Sequence, residues 1–178
     1  MSYLYNKENS FFYNVIIEKD GQLLKDDTID MSSFYGIFRF GILALDDPRM
    51  IAAEKVLKEK LFCDTPIGGI MRYVGDEYHR ISPEVAPNPW IITTLWYAQY
   101  LIAKVKKSSD LQEAYKLIEW AMDRANEAGV LPEQVRSDNG LPMSTAPLTW
   151  SHAEVVATAL DYLEAKKRMK QQAGAKGV

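Results

Sequence analysis

Two long connecting segments carry residue types that suit the binding of a ligand rich in hydroxyl or carboxylate oxygens. The first, residues 62–88, contains Arg72 and Tyr73 and leads into Trp90. An arginine offers five donors in a planar fork, and aromatic rings offer flat apolar faces with polar tips. Because a sugar presents C–H faces and a ring of hydroxyl groups, this set fits a carbohydrate. The alternative is that the two aromatic residues pack the loop and that Arg72 pairs with Asp76.

The second segment, residues 129–148, contains Glu133 just past the predicted end of a helix. A carboxylate at this place could act as a general base, or it could be a solvated surface glutamate. His152 follows in the first turn of the next predicted helix. No serine or cysteine nucleophile motif accompanies it, so we assign His152 a structural hydrogen-bonding role rather than a catalytic one.

Alternating apolar and amphipathic helices are predicted to position these segments. The predicted helices cover residues 32–45, 49–61, 90–106, 109–128 and 149–168. The first, third and fifth are apolar on most sides, whereas the second and fourth have one apolar and one charged face. This alternation predicts an all-α fold of inner and outer helices, as in an α/α toroid. A stacked solenoid fits less well, because no repeat of fixed length is visible.

The boundaries of these elements follow from capping and turn residues. Asp20 followed by Gly21 marks the turn of a short N-terminal β-hairpin. Ser32 or Ser33 is expected to cap the first helix, and Asn88 before Pro89 the third. These boundaries divide the chain into three parts. These are a hairpin and lead-in over 1–31, alternating helices over 32–168, and a disordered tail over 169–178.

The lengths of the connections predict where the candidate site lies. Links from inner to outer helices are very short, at residues 46–47 and 107–108, whereas both links from outer to inner helices are long. Long connections in compact domains are usually functional. Because consecutive helices alternate in direction, both long segments should emerge at the same rim.

Composition excludes several other classes of protein. The 178 residues are 47% hydrophobic and 25% charged, which is ordinary for a soluble globular domain. A net charge of −3 gives no reason to expect a nucleic acid partner. The single cysteine, Cys63, cannot form an internal disulfide, and the two histidines have no metal-ligand spacing. We expect no cofactor, no metal and no membrane span, and a cytoplasmic location is the default.

Motifs in both segments resemble glycoside hydrolase family 15, the glucoamylase family, which also has glucodextranase-like and trehalase-like members. The first segment carries Gly69-Ile-Met-Arg72-Tyr73-x-Gly-Asp-x-Tyr78, followed by Asn88-Pro-Trp90. The second carries Leu131-Pro-Glu133-Gln134, Gly140-x-Pro-x-Ser144 and Pro147-Leu-Thr-Trp150-Ser-His152. All of these motifs occur in family order and at family-like spacing, and the match covers residues 26–163.

The resemblance implies the C-terminal portion of an (α/α)6 barrel and assigns roles to individual residues. Glu133 would be the general base that activates the attacking water. Ser144 would orient the carboxylate of this base. Arg72 would bind hydroxyl groups of the glucosyl unit being released. The substrate-binding set that we predict is Arg72, Tyr73, Trp90, Ser144 and Trp150.

The implied reaction is inverting hydrolysis of terminal α-glucosidic bonds in α-glucans or maltooligosaccharides. Such enzymes pair the base with a second carboxyl group that protonates the leaving oxygen. In the family that acid lies in an N-terminal half, so we expect this chain to be incomplete alone. It would need that half, a partner subunit or self-association. The alternatives are a non-catalytic glucan- or protein-binding remnant, a helical interaction scaffold, or trehalase-like specificity.

Overall fold

The computed structural model describes residues 3–175, with side chains through residue 172. The strands are short: β1 (Tyr5–Asn6), β2 (Phe11–Phe12), β3 (Val15–Lys19), β4 (Gln22–Asp26), β5 (Ile70–Met71), β6 (Pro89–Trp90), β7 (Gln134–Val135) and β8 (Pro142–Met143). The α-helices are α1 (Met31–Arg39), α2 (Pro48–Leu61), α3 (Ile91–Lys104), α4 (Leu111–Met122) and α5 (Thr149–Ala175). Within residues 3–175, no helix is both long and apolar enough to cross a bilayer.

The predicted N-terminal hairpin is confirmed as β3 and β4, which pair antiparallel. Asp20 and Gly21 form its turn with φ angles of 53° and 72°. Two successive residues with positive φ give the backbone twist that matches a two-residue hairpin. Both strands are largely exposed to solvent, so the hairpin stands on the surface of the helical body.

The first helix is shorter than expected and has a different cap. Asp30, rather than Ser32 or Ser33, is the N-cap of α1, and its carboxylate accepts from the backbone N–H of Ser32 at 2.7 Å. The helix ends at Arg39 instead of residue 45, because Gly41 adopts a φ of +62° that turns the chain. The start of α2 is as the sequence indicates: the Asp47 side chain caps it and Pro48 occupies its first turn.

Helix α3 is the centre of the fold. Nearly all of its side chains are buried, and it packs against α1, α4 and α5. The amphipathic prediction for α2 is confirmed, since Met50, Ala53, Leu57 and Leu61 are all buried. These contacts place α3 inside and α2 outside, as the alternation of apolar and amphipathic helices predicts.

The sequence predicts that α4 buries a face made of Leu111, Tyr115, Ile118, Met122 and Ala125, and this prediction is partly wrong. Tyr115 and Met122 are exposed, whereas Leu111, Ala114 and Ala121 are buried. The spacing of the alanines explains the rotation, because small side chains at a helix contact allow the axes to approach closely. The chain thereby buries a face of small residues against α3 and α5.

Helix α5 differs most from its prediction. The sequence predicts a buried row made of Val155, Val156, Ala159, Leu160 and Leu163. Three of these residues, Val156, Leu160 and Leu163, are instead exposed by 60%, 60% and 58%. The side that packs against the body instead presents Thr158, Ala165 and Met169, among others. The helix also continues to Ala175, so the disordered tail expected from residue 169 is wrong through residue 175. Residues 176–178 lie outside the described residues.

The two long connecting segments are not structureless. They contribute three strands, and Pro89–Trp90 directly after the first segment contributes the fourth, to a small antiparallel sheet in the order β5-β6-β7-β8. Trp90 pairs with Ile70 on one side and with Gln134 on the other, and Gln134 pairs with Met143. Asn88 therefore does not cap α3, which begins after the strand residue Trp90. The sheet joins both segments at one end of the helices, where the sequence predicted a shared rim.

Candidate active site

Arg72 follows β5 and is held by Asp76. The guanidinium donates from Nε to Asp76 Oδ2 at 3.0 Å and from Nη2 to Asp76 Oδ1 at 2.8 Å. Although burial lowers the pKa of Arg72, the hydrogen bonds and the charge of Asp76 raise it above its ordinary value. The arginine side chain is 32% exposed, so this fixed cation still reaches solvent.

Asp76 is the buried anchor of this part of the site. Only 1% of the residue is exposed, and its carboxylate also accepts from the backbone N–H of Tyr78 at 3.0 Å. The Trp90 indole Nε1–H donates to it as well, at 3.2 Å. A buried carboxylate is stable only when its charge and lone pairs are satisfied, and these donors satisfy them.

Aromatic rings surround the Arg72 guanidinium. Its central carbon lies 4.4 Å from the ring centroid of Trp90, 4.7 Å from that of Tyr73 and 5.4 Å from that of Tyr78. The packing alternative from the sequence is therefore present: Arg72 pairs with Asp76, and the aromatic residues pack around it. The two interpretations are compatible, because the same contacts hold an exposed donor group in one orientation.

Glu133 precedes β7, and Ser144 follows β8, so the strand pairing brings them together. The Ser144 hydroxyl donates a hydrogen bond to Oε2 of the Glu133 carboxylate. Ser144 adopts a φ of +67°, a conformation that a non-glycine residue rarely takes. Such strain persists where surrounding structure enforces it, and it clusters at functional sites.

Buried amide side chains connect the two segments. Asn88 donates from Nδ2 to Gln134 Oε1 at 2.7 Å and to the carbonyl of His79 at 3.0 Å. The Ser137 hydroxyl donates to the carbonyl of Ala86 at 2.5 Å. Sequence reasoning treated Asn88 only as a helix cap and gave Gln134 no role. Their positions beside Pro89 and Glu133 become informative only when the strands are paired.

The remaining predicted residues lie at the start of α5. Trp150 is 51% exposed, and its ring packs edge-on against Trp96 with centroids 5.8 Å apart. His152 accepts a hydrogen bond at Nε2 from the backbone N–H of Leu131 at 3.1 Å, which confirms its structural hydrogen-bonding role. The structure thus brings Glu133 and Ser144 into direct contact and groups Arg72, Tyr73 and Trp90. The sheet pairing of Trp90 with Gln134 joins these two groups.

Both the sequence and the fold of this chain are similar to those of glycosidases. Residues 106–160 match the model of the family described as Glycosyl hydrolases family 15. A protein of Methanocaldococcus jannaschii named an uncharacterized glycosyl hydrolase is 40% identical over 141 residues, which are 72% of this chain and 21% of that protein. A glucoamylase of Clostridium sp. is 30% identical over 162 residues, which are 86% of this chain and 22% of that enzyme.

The fold agrees with these matches. The structure of the Hormoconis resinae glucoamylase superimposes with a TM-score of 0.65 at 18% identity, covering 91% of this chain and 36% of the other. The predicted all-α toroid-type fold is therefore confirmed. The chain is a relative of the family 15 glycosyl hydrolases and is glucoamylase-like, as its loop motifs indicate. It spans about a fifth of the length of the two curated relatives.

Proposed function

We propose that this chain supplies the water-activating side of a glucoamylase-type active site, with Glu133 as the general base. The observation that carries the proposal is the contact between Ser144 and the Glu133 carboxylate. Within the described residues, this hydrogen bond occupies Oε2 and leaves Oε1 for a water molecule. A base held in one orientation can deprotonate a water that attacks a fixed sugar carbon.

The reaction that fits this base is inverting hydrolysis of a terminal α-glucosidic bond in an α-glucan or a maltooligosaccharide. An inverting enzyme needs a second carboxyl group, about 6.5–9.5 Å from the base, to protonate the leaving oxygen. We propose that this acid lies outside the present sequence. The proposal is supported by the small share of its relatives that the chain covers, 21% and 22%.

Arg72 is proposed to bind hydroxyl groups of the sugar. Asp76 accepts from Nε and Nη2 of the guanidinium, and Nη1 is left as a donor for an approaching hydroxyl. The stacked rings of Tyr73 and Trp90 prevent the arginine from swinging away. Trp150, with half of its surface exposed, provides an apolar face for a sugar ring.

A further part of the proposal concerns the exposed row of α5. Val156, Leu160 and Leu163 form an exposed apolar strip along α5, and such strips mark contact surfaces. We propose that the remaining helices of a toroid cover it, either on the same polypeptide or on a partner. In their absence the chain should self-associate. Sedimentation of the 178-residue chain should then detect oligomers that the Leu160→Glu variant lacks, and a monomeric wild type would contradict this part.

The decisive experiment places the chain in a complete barrel. This sequence replaces its aligned segment in the Clostridium glucoamylase, and glucose release from maltooligosaccharides is followed by NMR, which identifies the anomer formed first. We expect β-glucose from the chimera and a loss of at least about 100-fold in kcat for Glu133→Gln. The matched control is Glu127→Gln, an exposed glutamate just after α4, which should leave kcat unchanged. If Glu133→Gln retains the wild-type rate, Glu133 is not the base.

A further inference from the structure

The short segment of residues 130–133, which carries Glu133, has all of its backbone polar groups paired. The N–H of Val130 bonds to the Asn126 side chain, and its carbonyl bonds to the Asn126 N–H. The carbonyl of Leu131 accepts from Leu148 at 3.2 Å. Buried backbone groups must find partners, so each of these bonds fixes a part of the path that leads to the base.

The remaining groups of the segment are paired in two ways. Glu133 donates its N–H to the carbonyl of Thr145 at 2.9 Å and accepts at its own carbonyl from Ile91 at 3.1 Å. The other two groups bond to side chains in the first turn of α5. The Ser151 hydroxyl donates to the carbonyl of Pro132 at 2.8 Å, and His152 Nε2 accepts from the Leu131 N–H at 3.1 Å.

The contact between His152 and Leu131 fixes the chemical form of the imidazole. Because Nε2 accepts a hydrogen bond, it carries no proton, and the ring proton of the neutral imidazole must be on Nδ1. A protonated ring would present an N–H to the Leu131 N–H, and the contact would become repulsive. The histidine therefore acts here as a neutral acceptor that closes the backbone pairing of the segment.

A displacement at Leu131 would reach the base through a stiff link. Leu131 is buried, and the next residue is Pro132, whose ring fixes its φ angle. Glu133 follows directly, so little torsional freedom separates the histidine contact from the carboxylate. Loss of the acceptor would leave a buried N–H unpaired and would move the segment to find a new partner.

We propose that His152 is a positioning residue for Glu133: as a neutral Nε2 acceptor, it holds the Leu131-Pro132-Glu133 segment where the carboxylate meets Ser144. The inference rests on the proposed function for its catalytic consequence. Its structural content, the tautomer and the coupling from His152 to Glu133, can be tested without any hydrolysis.

The first test uses the unaltered chain. The sequence contains two histidines, so long-range ¹⁵N–¹H spectra of the imidazoles at pH 8 are assigned with one His79→Gln sample. We expect the Nδ1–H tautomer for His152, with an unprotonated Nε2. An Nε2–H tautomer would overturn the proposal whether or not any variant folds.

The second test compares His152→Leu with His152→Gln, whose amide oxygen can reach the position of Nε2. Amide hydrogen exchange is measured at Leu131 and at Glu133, whose own N–H does not touch the histidine. We expect exchange at both amides to speed up about tenfold in His152→Leu and to return toward the wild-type rate in His152→Gln. Faster exchange at Leu131 alone would show that the contact does not position Glu133 and would overturn the proposal.

The chimera with the Clostridium glucoamylase supplies the catalytic readout. We expect His152→Leu to lower kcat by about 10- to 100-fold with little change in KM, because a misplaced base affects the reaction rather than binding. His152→Gln should recover most of this loss, and an unchanged kcat in His152→Leu would overturn the positioning role. Failure of the proposed function would appear separately, as an unaltered rate in Glu133→Gln, while the tautomer and exchange results still decide the coupling.

Discussion

Trp120 on α4 lies against Gly69 so closely that a Cβ atom added to the glycine would be 2.4 Å from the indole carbon Cζ2. The same indole donates from Nε1 to the carbonyl of Ile67 at 2.7 Å. An outer helix thus holds the segment that leads through β5 to Arg72. The glycine is required here for space as well as for its φ of +84°.

Gly69→Ala should therefore destabilise the protein by about 1–3 kcal/mol, because the ring and the loop must separate. Urea denaturation measures this change. Gly75→Ala is the matched control, since Gly75 also has a positive φ, +80°, but a Cβ atom added there would have no heavy atom within 4 Å. The difference between the two variants isolates the close contacts with Trp120 and with Pro89, whose Cβ would lie 2.9 Å from the added atom. Equal losses of stability would show that backbone strain alone accounts for the effect.

Ser144 combines backbone strain with a functional hydroxyl, and two substitutions separate these properties. Ser144→Gly should relieve the cost of a positive φ and stabilise the protein relative to Ser144→Ala by about 1 kcal/mol. Both variants lose the donor to Glu133, so both should lower kcat in the chimera by a similar factor. Thermal denaturation and glucose release provide the two readouts. A fully active Ser144→Gly variant would mean that the hydroxyl does not orient the base.

The contact between Arg72 and Asp76 predicts that the affinity for sugar depends on the negative charge of the buried Asp76. Asp76→Asn keeps the shape of the side chain but removes its charge, and it should cost about 2 kcal/mol in stability because charged hydrogen bonds are weakened. It should also weaken maltooligosaccharide binding, since Arg72 loses its fixed orientation. Calorimetric titration of wild type and of each variant with maltooligosaccharide measures the affinity. Asp138→Asn is the control, because Asp138 forms a similar two-point pair with Arg136 at an exposed position.

A carboxylate away from the site predicts how stability depends on pH. Glu54 on α2 accepts from the hydroxyl groups of Tyr97 at 3.0 Å and Tyr100 at 3.2 Å, and it pairs with Lys104. Burial raises the pKa of Glu54, but the hydrogen bond and charge of Lys104, the Tyr97 hydroxyl and the charge of Lys58 together outweigh this effect and keep the pKa below its ordinary value of 4.5. Its stabilising contribution is therefore complete above pH 4.5 and is lost as the pH falls through the folded-state value.

Glu54→Gln tests this sign directly. The variant should be less stable than wild type at pH 7, and the difference in free energy of unfolding should shrink as the pH falls below about 4.5. Denaturant titrations between pH 3 and pH 7 measure it. Glu59→Gln, at an exposed position on the same helix, should show little pH-dependent difference. A difference for Glu54→Gln that stays constant across this range would refute the assignment.

The sequence predicted the parts of the fold in which local patterns act alone. The buried face of α2 and the burial of α3 on most sides follow from the helical spacing of apolar residues. The hairpin turn follows from the dipeptide Asp20-Gly21. The exposure of the apolar row of α5 could not be predicted in this way, because an apolar row indicates burial without indicating which surface covers it. The four-stranded sheet was missed because each strand has two residues, too few for a periodic signal.

In the candidate site, too, local motifs could be predicted from the sequence, whereas contacts between distant residues could not. Glu133, Ser144 and Arg72 were selected from motifs, and the contact between the first two residues agrees with that choice. The role of Asp76 as the buried partner of Arg72 remained one of two alternatives, because burial is not visible in a loop sequence. The contact of Trp120 with Gly69 joins positions 51 apart in the chain. Only the packed structure reveals which side chain makes the glycine necessary.

The role of Glu133 is tested most directly by the rate of glucose release from the chimera with Glu133 intact and with Glu133→Gln, with Glu127→Gln in parallel. We predict that wild type and Glu127→Gln release β-glucose at equal rates and that Glu133→Gln is slower by at least about 100-fold while still binding maltooligosaccharide. Glucose release by Glu133→Gln at the wild-type rate would contradict the assignment of Glu133 as the base that activates water.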